Sequence, residues 1–303
     1  MKKNYFQDTE FDYLVIAEAG RGSSLELLIP MVRGKKIILV GDHKQISPEL
    51  EKEIQKKMEA DESFTDENVK MLRKSIFGIM YEAADPYNKM FLNTQFRMSP
   101  DISKIVSDFY YDGKLLDAAN VAEKTHGFEN DLESSFYWIS TPTRVDKYKE
   151  KKSGTSAYNI GEIETTIDLL SWLEKNATER KTVGIISPYK AHTIKLDEKI
   201  NPDLYPNLDI EINTVDAFQG REKQIVIINF VRNNNQKEVG FIANDSRMNV
   251  AISRAQELLF IVGNSDFVDD NKNRLPKVQN IKGEVQSRGR YLRAEEFMEE
   301  PYK

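Results

Sequence analysis

The chain has 303 residues, 40% of them hydrophobic and 30% charged, with a net charge of −6 and no cysteine. That length suits one large domain or two of ordinary size around a real core, and the missing cysteines exclude disulfides and thiolate zinc sites. The acidic balance excludes a global basic field, so nucleic-acid binding would need a local basic groove.

In chain order, "FDYLVIAEAG" (11–20) reads as a buried strand over 12–17 that emerges into a loop. One acid, Glu18, stands there, preceded by Ala17. "SLELLIPMV" (24–32) predicts a helix and "KKIILVGD" (35–42) a second strand. Continuous apolar strands separated by helices point to a parallel sheet covered on both faces. Residues 49–76 are charged and mostly helical in pattern, with a loop near "DESFTDEN", and read as a solvated face. Residues 100–132 suggest helix, turn and connector.

A second series starts near Ser134. "SSFYWIS" (134–140) is a strand, and 159–175 carries Ile160, Ile163, Ile167, Leu170 and Leu173 at helical spacing. "TVGIISPY" (182–189), "DIEINTVDAF" (209–218), "QIVIINFV" (224–231) and "LLFIVGN" (258–264) are further strands, with a short helix at 249–256. The expected domains are 1–132, 133–268 and a polar tail over 269–303. Every apolar run falls short of the roughly 18 residues that span a membrane, and "MKKNYFQDTEFDY" has no signal-peptide segment. The expected location is the cytoplasm.

Four stretches carry chemistry. "GDHKQISP" (41–48) follows a strand, where ligands bind in α/β sheets; Gly41 permits a tight turn, and Asp42, Lys44 and Gln45 can face a phosphate. A plain polar turn closed by proline fits equally well. "QFRM" (95–98) sets the Arg97 fork beside the Phe96 ring, a pairing suited to a phosphate and a base, or else a core Phe with a surface Arg. "TVDAFQGREKQIVIINFVR" (214–232) holds Gln219, Gly220, Arg221 and Glu222 in a loop between apolar strands. "RMNVAISRAQ" (247–256) offers Arg247 and Arg254, two turns apart and on one face if the segment is helical. One of them can act as an arginine finger, and a solvent-facing arginine is the alternative for Arg254.

The series in this order resembles superfamily 1 helicases, in the branch typified by the nonsense-mediated-decay RNA helicase and its DNA-acting relatives. The resemblance covers roughly residues 10–268 and is most specific in "VDAFQGREKQIVIINFVRNN" and "GFIANDSRMNVAISRAQELLFIVGN". It implies two RecA-like, P-loop-NTPase-type α/β domains with parallel sheets, the first one incomplete, and ATP bound between them. Motif II falls on Ala17, Glu18, Ala19 and Gly20: Glu18 would handle the attacking water, while Ala17 replaces the acid that supports Mg²⁺. In motif III, Gly41, Asp42 and Gln45 match, with Gln45 sensing the γ-phosphate. Phe96 looks like the adenine-stacking ring and Arg97 like a phosphate arginine. Glu222 would hold the ribose, Gly220 the adjacent turn, and Arg254 a phosphate. Pro188, Tyr189, Lys190 and Thr214 correspond to positions near single-stranded DNA or RNA, where His192 departs from the usual Gln. The implied travel is 5′ to 3′.

The Walker A pattern G-x-x-x-x-G-K-[ST] is absent. A split helicase, a remnant that binds without hydrolysis, and a fragment silenced by an Asp-to-Ala change all account for this. ATP and Mg²⁺ are therefore expected only if a second polypeptide or a missing N-terminal region supplies Walker A, and the isolated chain is expected to be inactive. The rival reading is a non-catalytic nucleic-acid- or protein-binding module.

Overall fold

The computed structural model describes residues 9–46, 75–288 and 290–295. The charged stretch expected to be helical over 49–76 lies outside them, apart from Ser75 and Ile76. The chain divides into two compact units at Leu92 and Asn93, not near residue 133 as the sequence pattern suggests. The intervening helix goes with the second unit because it is tied there. Ser99 N–H donates to the Gln256 carbonyl at 2.7 Å, and Asp101 accepts from Ser134 Oγ at 2.8 Å.

In the first unit, β1 (Phe11–Ile16) and β2 (Gly34–Leu39) pair in parallel. Between them runs α1 (Ser24–Met31). A capping box starts this helix: Ser23 Oγ accepts from Glu26 N–H, and Glu26 returns the bond to Ser23 N–H. Ala19, Leu27 and Phe77 form a small core with α2 (Ile76–Ala83). The expectation of a buried first strand fails here. Half-buried Leu14 and Ile16 alternate with Tyr13 and Val15, each 62% exposed. A strand is buried on both faces only when a layer covers each, and among the described residues β1 pairs with β2 alone.

The second unit begins with β3 (Thr94–Gln95), α3 (Pro100–Tyr110) and β4 (Leu116–Asp117). Its centre is a six-stranded sheet in the order β12-β5-β11-β10-β8-β9, with every neighbouring pair parallel. The strands are β5 (Phe136–Ser140), β8 (Lys181–Ser187), β9 (Leu208–Thr214), β10 (Lys223–Asn229), β11 (Ala255–Gly263) and β12 (Tyr291–Arg293). A hairpin, β6 (Lys151–Ser153) with β7 (Ser156–Tyr158), precedes α4 (Ile160–Asn176). Next come α5 (Lys190–Lys199), α6 (Val215–Phe218) and α7 (Asp245–Ile252). Ile185, Ile227 and Phe260 bury one face against Leu169, Leu173 and Trp172, as the α/β reading requires.

The expected polar tail is not a tail. Past Asp269 the chain closes α8 (Ser265–Asp270), forms α9 (Pro276–Ser287) and adds β12 beside β5. Pro276 opens α9, and Val278, Ile281 and Val285 fall on one buried face. Among the described residues no helix is long and apolar enough to cross a membrane.

Candidate functional site

In the first unit, the carboxyl ends of β1 and β2 bring the loop that follows Glu18 against the backbone of Asp42. Ala19 N–H donates to the Val40 carbonyl at 2.9 Å. Glu18 itself adopts φ 55°, a left-handed conformation unusual for a non-glycine residue. A Cβ on Gly20 would lie 2.5 Å from the Asp42 carbonyl oxygen, and one on Gly41 would lie 2.6 Å from Gly20 N. Two side-chain-free positions thus let the loops touch. Asp42 accepts from Lys44 N–H and from Gln45 Nε2, both at 2.9 Å, so the motif III turn is internally fixed. Ala17 contributes only a methyl, and among the described residues no group of three or more His, Asp and Glu side chains is placed to hold a metal ion. Ala17 therefore offers Mg²⁺ no oxygen ligand at the motif II position.

In the second unit, QFRM and FQGRE meet. Gln95 shapes the first loop: its Oε1 accepts from the Arg97 and Met98 N–H groups, each at 2.8 Å. Arg97 is thereby aimed at Glu222, with which it forms an ion pair, and its Nη1 donates to the Ser253 carbonyl at 3.3 Å. Gln256 Nε2 donates to the other Glu222 oxygen at 2.8 Å. Phe96 next door is 64% exposed, and Gly220 turns at φ 82°. An open ring beside a paired cation and anion fits a nucleoside with its hydroxyls.

Arg254 is a correction. The helix spans Asp245–Ile252, started by Asn244, whose side chain accepts from Arg247 N–H, instead of covering 249–256. Arg254 thus lies past the helix end, and the shared face with Arg247 does not form. It is 3% exposed, and its guanidinium donates to the Val250 and Arg221 carbonyls at 3.1 and 3.2 Å and to Ser253 Oγ at 3.0 Å. In this structure it braces a turn and does not face solvent.

The expected nucleic-acid positions gather at the carboxyl ends of β8 and β9, which are in register at Ser187 and Thr214. Lys190 is exposed, and Pro188 and Thr214 are half-buried. Tyr189 differs: at 4% exposure its ring is packed inside, and its hydroxyl accepts from Phe241 N–H at 3.2 Å. It positions a neighbouring loop and cannot stack on a base. His192 is fully buried, where desolvation drives its pKa down to about 4 despite an Asn229 hydrogen bond. Because Asn159 N–H donates to its Nδ1, the proton sits on Nε2, which donates to Asn229 Oδ1 at 2.7 Å.

The motif reading missed Asn159 and Glu162. Asn159 caps α4 through Glu162 N–H, and its Nδ2 donates to the Tyr148 and Val231 carbonyls. Fully buried Glu162 accepts from Val231 N–H at 2.7 Å, while its Oε1 has no partner. Burial pushes its carboxyl up to about 8, with the Glu150 charge adding to the rise and the Val231 and Phe230 N–H groups opposing it. The available signal was an Asn followed three residues later by Glu at a helix start.

An AAA-domain family model matches residues 72–266, and a second AAA-domain model matches residues 1–74. DNA polymerase alpha-associated DNA helicase A of Saccharomyces cerevisiae is 30% identical over 306 residues, 95% of this chain and 43% of that protein. ATP-dependent helicase NAM7 of the same yeast is 30% identical over 270 residues, 85% of this chain and 26% of that protein. Helicase sen1 of Schizosaccharomyces pombe is 30% identical over 326 residues, 97% of this chain and 18% of that protein. The chain spans less than half the length of each of these relatives. With its motif order, its parallel sheet and these matches, the chain belongs to the superfamily 1 helicases of the nonsense-mediated-decay type.

Proposed function

We propose that the chain is a subunit or portion of an ATP-dependent helicase that moves on single-stranded DNA or RNA, with Walker A supplied by another polypeptide or another region. One observation supports this above the rest: QFRM and FQGRE, far apart in sequence, converge through Arg97 and Glu222 beside the open Phe96 ring. In this reading Phe96 carries the base and Glu222 the ribose hydroxyls. An incoming phosphate competes with Glu222 for Arg97. Glu18 orients the attacking water and Gln45 senses the γ-phosphate. Arg254 reaches a phosphate only after giving up its bonds to the Val250 and Arg221 carbonyls. Ala17 offers Mg²⁺ no carboxylate, so that support comes with the Walker A half. Lys190 and Thr214 face the sugar-phosphate backbone, and the compartment is the cytoplasm.

The test is ATP turnover with single-stranded DNA or RNA, for the chain alone and mixed with a Walker A polypeptide, each with and without Ala17→Asp. Turnover is expected only in the mixture, raised by the restored acid, and at background for the chain alone. No turnover in any combination of folded proteins would sink a completable site. A second reading, a binding module without hydrolysis, is favoured by Ala17 and by the burial of Arg254. It predicts nucleic-acid binding indifferent to ATP and to Arg254→Ala.

A further inference from the structure

The loop after β10 is held by an unusual amount of fixed structure. Val231 is buried at φ 71°, a conformation costly for a β-branched residue. Glu162 accepts its N–H at 2.7 Å and Asn159 donates to its carbonyl at 3.1 Å, which clamps the turn from both sides. Arg232 is then locked, donating to Glu150 Oε1 at 2.9 Å and to the Glu238 carbonyl at 2.7 Å, with its guanidinium 5.5 Å from the Tyr189 ring centroid. At the far end, Gly240 turns at φ 56°, and any Cβ there would collide with Tyr189 Oη.

All of this positions Phe241. Its N–H is bonded to Tyr189 Oη, and its ring lies edge-on to Tyr189 at 5.5 Å between centroids. The Arg247 guanidinium sits 4.9 Å from the ring centroid and is itself held by Asp216, with contacts at 3.3 and 3.2 Å. Yet Phe241 remains 43% exposed, while its neighbour Ile242, at 1%, does the packing. Tyr189 and Asp216 directly follow β8 and β9, so the ring stands at the same carboxyl edge as exposed Lys190 and half-buried Thr214. A lone exposed apolar residue needs no explanation. A rigidly framed aromatic, backed by a cation and set among backbone-binding positions, has the makings of a stacking platform.

We propose that Phe241 stacks on a base of a single-stranded nucleic acid crossing this edge. The inference rests on the nucleic-acid reading of the edge given above. Stacking on a π-face is tolerant of sequence, which suits a strand that must slide past.

The test measures binding of the full chain to oligo-dT, oligo-U and an abasic oligomer, each of roughly 15 nucleotides. Phe241→Ala is expected to weaken dT and U binding about tenfold and leave abasic binding unchanged. Phe241→Trp is expected to restore binding, and its fluorescence to be quenched by dT, readable because Trp138 and Trp172 are both buried. Unchanged dT and U binding by Phe241→Ala would overturn the proposal and leave the ring as a protein-facing surface. Equal losses on all three oligomers would also overturn it, since only loop geometry would then be at stake. A folded wild-type chain that binds no oligomer would remove the nucleic-acid reading itself. Loss of all binding on Lys190→Ala with Phe241→Ala silent would spare that reading and remove only this one.

Discussion

β10 ("KQIVIIN") and β2 ("GKKIIL") are both apolar strands of parallel sheets, yet Ile225, Val226 and Ile227 are fully buried while Ile37 and Ile38 are 38% and 47% exposed. β10 has β11 on one side and β8 on the other. Among the described residues β2 has β1 alone. The two strands have the same appetite for neighbours, and only one has it met. Apolar sequence therefore states a demand for burial, and the strands and helices gathered around it decide whether the demand is satisfied.

The largest expected effect tests this difference directly. Phe260→Ala should destabilise the second unit by about 3–5 kcal/mol, and Val15→Ala should change the first by no more than about 0.5 kcal/mol. Urea unfolding followed by tryptophan fluorescence reads the second unit, since both tryptophans lie there; hydrogen exchange reads β1. Comparable losses in the two units would break the comparison.

The next effect sharpens it through pH. Glu162 holds its proton up to about 8 in the folded chain against an ordinary value of 4.5, so the folded state binds more protons than the unfolded one in between. Its contribution is full below pH 4.5 and is lost as pH rises toward 8. His192, lowered from 6.5 to about 4, works the other way: stability falls as pH drops from 6.5 toward 4. Glu162→Gln keeps an acceptor for Val231 N–H and should abolish only the loss on the alkaline side, measured as melting temperature against pH. Glu162→Ala should cost about 1–3 kcal/mol by orphaning that N–H. A glutamine variant with the wild-type pH profile would show that burial does not hold the proton.

The smallest expected effect concerns the exposed sheet. Val15→Lys with Ile38→Lys should lower light scattering at high protein concentration while moving the second unit's unfolding midpoint by less than about 0.5 kcal/mol equivalent. Unchanged scattering would mean that the first sheet's apolar face is not a self-association surface.

Much of the second unit was legible because its strands are short β-branched runs with helical spacings between them. The QFRM and FQGRE loops were legible for a different reason, since residue type and order alone mark them. What escaped depended on three-dimensional company. Whether β1 is buried turns on layers that its own residues do not encode. Arg254 was misplaced because the helix starts at the Asn244 cap, six residues upstream of the apolar pattern at Val250, Ala251 and Ile252. The resemblance puts Tyr189 beside the nucleic acid, and only the approach of Gly240 and Arg232 shows it to be an internal post. The final helix hid behind its polar average, although Pro276 and the spacing of Val278, Ile281 and Val285 announced it.

The backbone contact at Gly20 and Gly41 has a mechanical meaning. Hard-sphere contact between two main chains leaves no side chain to flex and take up slack. The loop bearing Glu18 and the turn bearing Gln45 are therefore coupled directly through their main chains. A shift of the turn reaches the backbone that carries Glu18 with nothing between to absorb it, and alanine at either glycine would wedge the two main chains apart.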